Sequence, residues 1–174
     1  TEYTQVGVAG DGATPNSLFS PITGSGSFLA MTGEGGSSSD YRWHKDGGPV
    51  NSGDDSYQSD GKTTNASDPY YQALFPDGDF PGSPGNRWTT MRIDVDGSDI
   101  TYSLDGTRIV VGTATLGAGQ VSLGYADLFT SVANPFQSQY GIYDNLVVMV
   151  PEPASSALAL LGGLGMFFLA RRRQ

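Results

Sequence analysis

The sequence predicts an all-β fold, an antiparallel β-sandwich, followed by a single apolar helix at the C-terminus. Three observations carry this. Short stretches of alternating apolar and polar residues recur at intervals of about 10 residues, with turn residues between them. The chain holds 25 Gly and 10 Pro, and its acidity before residue 151 is almost entirely Asp, since only Glu2 and Glu34 are Glu there. Aspartate and glycine favour turns and strand ends, whereas glutamate favours helices. Finally, the one sustained apolar run without a charge lies at 154–170.

Along the chain, Tyr3 to Val8, Leu18-Phe19 and Phe28 to Met31 read as weak strands in a glycine-rich region. Residues 35–69 are strongly polar and read as a long loop, interrupted by the strand-like Tyr41-Arg42-Trp43-His44-Lys45. Long loops in compact domains are commonly functional. Tyr70 to Phe75 fits either a short strand or one helical turn, and Pro76-Asp77-Gly78 ends it. From Trp88 to Val95 the pattern alternates, with Trp88, Thr90, Arg92 and Asp94 on one side and Thr89, Met91, Ile93 and Val95 on the other. Trp88, at the start of that strand, is expected in the core. Asp96-Gly97-Ser98 turns the chain, Ile100, Tyr102 and Leu104 alternate again, and Asp105-Gly106 is a strong hairpin signal. Arg108 to Thr113 is the return strand, Gln120 to Tyr125 another, and Tyr140 to Val150 the last.

Two regions follow from this: an extracytoplasmic β domain over 1–150 and a terminal segment over 151–174. The first carries 17 acidic and 6 basic groups, net −11, and the second one Glu and three Arg, net +2. With no basic patch to neutralise phosphate, nucleic acid is excluded as a partner. No cysteine is present, which excludes disulfides, thiolate metal sites and a thiol nucleophile.

Within the terminal segment, Pro151-Glu152-Pro153 is a rigid, non-helical handle, because proline lacks the backbone N–H and biases its predecessor to extended geometry. The 17-residue run 154–170 reaches roughly 25 Å as a helix, the short end of what spans a bilayer. Arg171, Arg172 and Arg173 hold the C-terminus on the cytoplasmic side, which places everything before Pro151 outside. The chain opens Thr-Glu-Tyr-Thr-Gln-Val-Gly-Val, without an initiator methionine or an apolar export run. The expectation is therefore a C-terminal fragment whose domain is N-terminally truncated.

The order Pro-Glu-Pro, apolar helix, arginine cluster resembles the PEP-CTERM sorting signal of Gram-negative and related bacteria. That resemblance implies export, recognition by the membrane protease-transpeptidase exosortase, and delivery to the cell surface or an extracellular matrix, with Pro151, Glu152 and Pro153 as the recognised motif. A second resemblance covers Trp88 to Val148. The phrases Ile93-Asp94-Val95-Asp96-Gly97, Tyr102-Ser103-Leu104-Asp105-Gly106, Val121-Ser122-Leu123-Gly124-Tyr125 and Tyr143-Asp144-Asn145-Leu146-Val147-Val148 are similar to the C-terminal half of concanavalin A-like (laminin G-like) jelly rolls. Such domains often bind glycans, sometimes through Ca2+, and some hydrolyse them; fold alone does not decide among these.

Candidate sites follow. Trp43, His44, Tyr70 and Tyr71 flank the polar loop, where aromatic rings present faces suited to sugar C–H groups; capping the core is the competing role of large aromatics. Asp94, Asp96 and Asp99 offer oxygen ligands for Ca2+, although turn chemistry alone accounts for the same residues. His44 is the only histidine, with no nucleophile elbow and no second His for zinc. A glycosidase needs two carboxylates about 5–10 Å apart, and the Glu-x-Asp-x-Glu string of jelly-roll glucanases does not occur. The expected function is a non-enzymatic, exported surface or matrix protein that binds polysaccharide. The alternatives are a glycan hydrolase or lyase whose catalytic strand lies in a missing N-terminus, and a purely structural matrix protein.

Overall fold

A computed structural model describes the chain except residues 1, 18–21, 36–38, 46–47, 52–55, 59–62, 78–79, 128–139 and 151–174. Leu18-Phe19 and the whole terminal segment, including Pro151–Pro153, 154–170 and Arg171–Arg173, lie outside the described residues. The chain divides into two compact units, Thr1–Ile142 and Tyr143–Gln174, and of the second only 143–150 is described.

The first unit is built from two antiparallel sheets. Strands β1 (Glu2–Gly10), β2 (Ser27–Thr32), β3 (Tyr41–Lys45), β4 (Gly48–Pro49) and β8 (Gln120–Asp127) form a five-stranded sheet in the order β4-β3-β2-β1-β8. Strands β5 (Met91–Asp96), β6 (Asp99–Leu104) and β7 (Thr107–Thr113) form the second sheet in chain order. One short helix, α1 (Pro69–Leu74), lies between β4 and β5. Among the described residues no helix is long and apolar enough to cross a membrane.

Local chemistry explains the second sheet. β5 and β6 pair from Met91↔Leu104 to Asp96↔Asp99, so Gly97-Ser98 forms the two-residue turn, with Gly97 at φ +61°. β6 and β7 close at Leu104↔Thr107 around Asp105 (φ +46°) and Gly106 (φ +81°), both in the left-handed region that matches the twist of a hairpin. One extra residue in β7 shifts the register between Tyr102 and Ser103. This bulge lets the neighbours Ile109 and Val110 both be buried, where strict alternation would expose one. In α1, the Asp68 side chain accepts from the Tyr70 N–H and Pro69 takes the first helical turn, a standard N-terminal cap.

The five-stranded sheet uses both faces. Leu29, Met31, Tyr41 and Trp43 point inward and share one core with Ile100, Tyr102, Leu104, Ile109 and Val110 of the second sheet, with Tyr57, Tyr71 and Phe75 closing its side. The alternate residues point outward, where Tyr3, Phe28 and Ala30 form a second, smaller buried cluster. All six residues of β2 are therefore buried. A buried polar bridge joins the sheets. Trp43 Nε1 donates to Ser27 Oγ at 2.8 Å, and Ser27 Oγ is hydrogen-bonded to Tyr102 Oη at 2.8 Å.

Two expectations are corrected. Trp88 is 68% exposed: β5 begins only at Met91, so Trp88 precedes the strand and takes no part in its inward row. Residues 140–150 form no strand. Asn145 takes a left-handed φ of +55°, and its N–H bonds to the Asp144 carboxylate, which interrupts an extended run.

Candidate functional site

Trp43 is buried because β3 places it opposite Leu29 on the inward face. Its backbone N–H donates to Tyr57 Oη at 2.8 Å, and its ring lies against Gly112 of β7, where a Cβ would come within 2.6 Å of Cη2. The indole is fully buried and offers no face to a ligand. His44 points outward and stacks on Phe28, centroids 4.5 Å apart and 16° from parallel. It too is buried.

Tyr71 is brought inward by α1. It stacks on Tyr41 at 4.1 Å, with Tyr41 Oη donating to the Gly82 carbonyl at 2.6 Å and Tyr71 Oη to the Thr63 carbonyl at 3.2 Å. Burial pushes both phenols well above their usual range. Tyr70 meets Tyr71 edge-on at 5.6 Å, donates from its hydroxyl to the Arg108 carbonyl, and is only partly buried. Burial is also the chief reason its pKa is raised. The four aromatics therefore lie in three environments: the inner core, the outer sheet face, and the flank of α1. Of the four, only Tyr70 keeps appreciable surface.

The carboxylates are likewise assigned to structure. Asp94 is bound by Arg92 at 2.6 Å on the exposed face of β5, and Asp96 sits opposite Asp99 at the hairpin end. Among the described residues no three His, Asp or Glu side chains converge on a point that could hold a metal ion, and Asp94, Asp96 and Asp99 do not do so. Asp105 accepts from the Thr90 N–H at 2.8 Å and from Arg87 Nη2 at 3.0 Å, tying its turn to the segment before β5. Asp40, fully buried, accepts from the Ala66 N–H at 2.9 Å.

A concave site lies elsewhere, on the outer face where β1 meets β8. It encloses about 320 Å³. Its floor is set by the pairing Gln5↔Gly124 and Gly7↔Ser122; its rim is the loop from Gly12 to Asn16, with Ser25 alongside. At its upper end one extra residue in β1 between Gly7 and Gly10, with Ala9 at φ +59°, shifts the register so that Gly10 meets Gln120. Asn16 Nδ2 reaches Ser122 Oγ at 3.4 Å, and the Asp11 N–H donates to Ser25 Oγ at 2.9 Å, so loop and strand hold each other. The Asp11 carboxylate turns back into its own loop, accepting from the Ala13 and Thr14 N–H groups and from Thr14 Oγ1. The Thr14 hydroxyl and the two amides hold its pKa well below the usual carboxylate range. Residue patterns do not reveal this groove, because it depends on pairing two strands at opposite ends of the β domain. The one local signal is the Gly7–Gly12 stretch, where glycine and a bulge go together.

Residues 150–174 match the family model described as the PEP-CTERM protein-sorting motif. No curated protein and no solved structure matches the chain.

Proposed function

We propose that this chain is a non-enzymatic surface or extracellular-matrix protein, whose concanavalin A-like β domain is exported, delivered by exosortase and in contact with polysaccharide outside the cell. The single observation that carries the reading is the sorting motif over residues 150–174, which marks an exported protein processed by exosortase. In this reading 154–170 enters the membrane, Arg171–Arg173 stay on the cytoplasmic side, and exosortase acts near Pro151-Glu152-Pro153. The β domain is acidic and free of cysteine, which suits a soluble display module stabilised by its core alone. The engagement of Asp40, Asp94 and Asp105 in structural bonds supports a non-catalytic role.

The test is a tagged full-length gene in a host with an exosortase, with Pro151, Glu152 and Pro153 replaced together by alanine. The variant is expected to accumulate at the membrane as an unprocessed precursor. Processing and surface delivery like those of the unaltered chain would refute the sorting role.

A further inference from the structure

We infer that the groove between β1 and β8 is a binding site for a neutral, polyhydroxylated ligand, a saccharide without charged groups. The lining chemistry is the first argument. The chain has a formal charge of −9, yet no Asp, Glu, Lys or Arg lines this groove among the described residues. Asp11, the nearest carboxylate along the rim, spends its oxygens on its own loop. An anion would find no cation among the lining side chains and a cation no carboxylate among them, although Glu2 and Asp127 act on Tyr125 at one end of the groove.

The polar part of the lining is the amides of Gln5, Asn16 and Gln120 and the hydroxyls of Ser25 and Ser122, set among the apolar side chains of Val121 and Leu123. An amide both donates and accepts, and so does a hydroxyl. A sugar hydroxyl does the same, so each contact can be satisfied in either sense. A purely apolar ligand would strip water from these groups without replacing its hydrogen bonds, which is unfavourable.

Shape is the second argument. At about 320 Å³ the groove is at the small end of ligand sites, which run from about 300 to 1,000 Å³. Gly124 carries no side chain, and a Cβ there would meet only Gln5, at 3.7 Å; the floor is open because this position is glycine. The cross-links Asn16–Ser122 and Asp11–Ser25 fix rim and floor before any ligand arrives, which limits the ordering cost of binding.

This deepens the polysaccharide part of the reading above and rests on it only for the compartment in which ligand is met. The test uses the purified full chain in a detergent without sugar head groups, run through native gels containing dextran, laminarin or galactomannan, with dextran sulfate as the charged counterpart. Retardation by at least one neutral polymer and not by dextran sulfate is expected. Gly124→Phe, which fills the floor, is expected to weaken that retardation at least tenfold, and Trp88→Ala, remote from the groove in sequence and on exposed surface, to leave it unchanged. If Gly124→Phe does not fold, the double variant Asn16→Ala/Ser122→Ala takes its place. No retardation by any neutral polymer, stronger retardation by dextran sulfate, or a folded groove variant that binds like the parent would each overturn the inference. Because the binding is measured on purified protein, it is independent of whether the sorting motif is processed in cells.

Discussion

Replacing Ser27 by alanine is expected to destabilise the β domain more than its one-atom size suggests. Ser27 Oγ is the acceptor for the Trp43 indole N–H and the partner of the Tyr102 hydroxyl, both at 2.8 Å, and all three residues are buried. Alanine at 27 leaves two buried polar groups unpaired. A donor or acceptor orphaned in this way costs about 1–3 kcal/mol, so the two together are expected to cost about 2–6 kcal/mol. At about 2–4 °C per kcal/mol for a chain of this size, the midpoint falls by about 4–24 °C. Tyr102→Phe alone removes one of the two bonds and costs about 1 kcal/mol. In the Ser27→Ala background the same change removes an already orphaned hydroxyl, so the double variant should be more stable than the sum of the singles by about 1 kcal/mol or more. Urea unfolding followed by tryptophan fluorescence measures all four proteins. A Ser27→Ala loss below about 0.5 kcal/mol, or strict additivity in the cycle, would refute the idea that this hydroxyl links the sheets.

Gly112→Ala is expected to cost about 1–3 kcal/mol, because a Cβ would sit 2.6 Å from the Trp43 ring in a packed core; thermal unfolding reads this, and a wild-type midpoint would show that the ring yields freely. Several tyrosines should ionise late. Burial, with the Asp40 charge adding to it, pushes Tyr3 up to about 12, and burial with Glu2 and Asp127 nearby does the same for Tyr125. Tyr41, Tyr71 and Tyr102 are raised further, chiefly by burial. The folded state favours the neutral phenols, so their contribution to stability is intact below the unfolded value of about 10 and is lost as pH rises through the folded values. Near-ultraviolet titration should show these phenols ionising only together with alkaline unfolding; their ionisation near 10 while the protein is still folded would contradict this.

The hairpins were legible because their information is local. Asp105-Gly106 and Gly97-Ser98 carry the turn in two residues, and β6 and β7 follow within one position of the expected bounds. The five-stranded sheet was harder to read. β2 is buried on both faces, so Ser27–Thr32 shows no alternation, and its glycine-rich neighbours look weak. The aromatic candidates depended on which faces would be covered. Trp43 and Tyr71 flank a polar stretch, but Tyr57, Ala66 and α1 fold back from that stretch to close the core over them. Trp88 shows the reverse error: a large aromatic at the start of a strand pattern reads as a core residue, yet the ladder begins three positions later. At Tyr140–Val150 the apolar content reads as a last strand, but Asn145 takes a left-handed conformation within it and no strand forms.

The pairing of β1 with β8 bears on when this domain acquires its structure. Tyr3 lies beside Ala126, and Gln5 beside Gly124. The second sheet, by contrast, is a meander of neighbours closed by two-residue turns. Contacts between residues far apart in sequence form slowly, since chain entropy is lost before they reward it. During synthesis β1 can pair with β2, but its other edge must wait until β8 has emerged. The larger sheet therefore closes last, once nearly the whole β domain has been made, whereas the three-stranded meander can form as soon as its own residues are available.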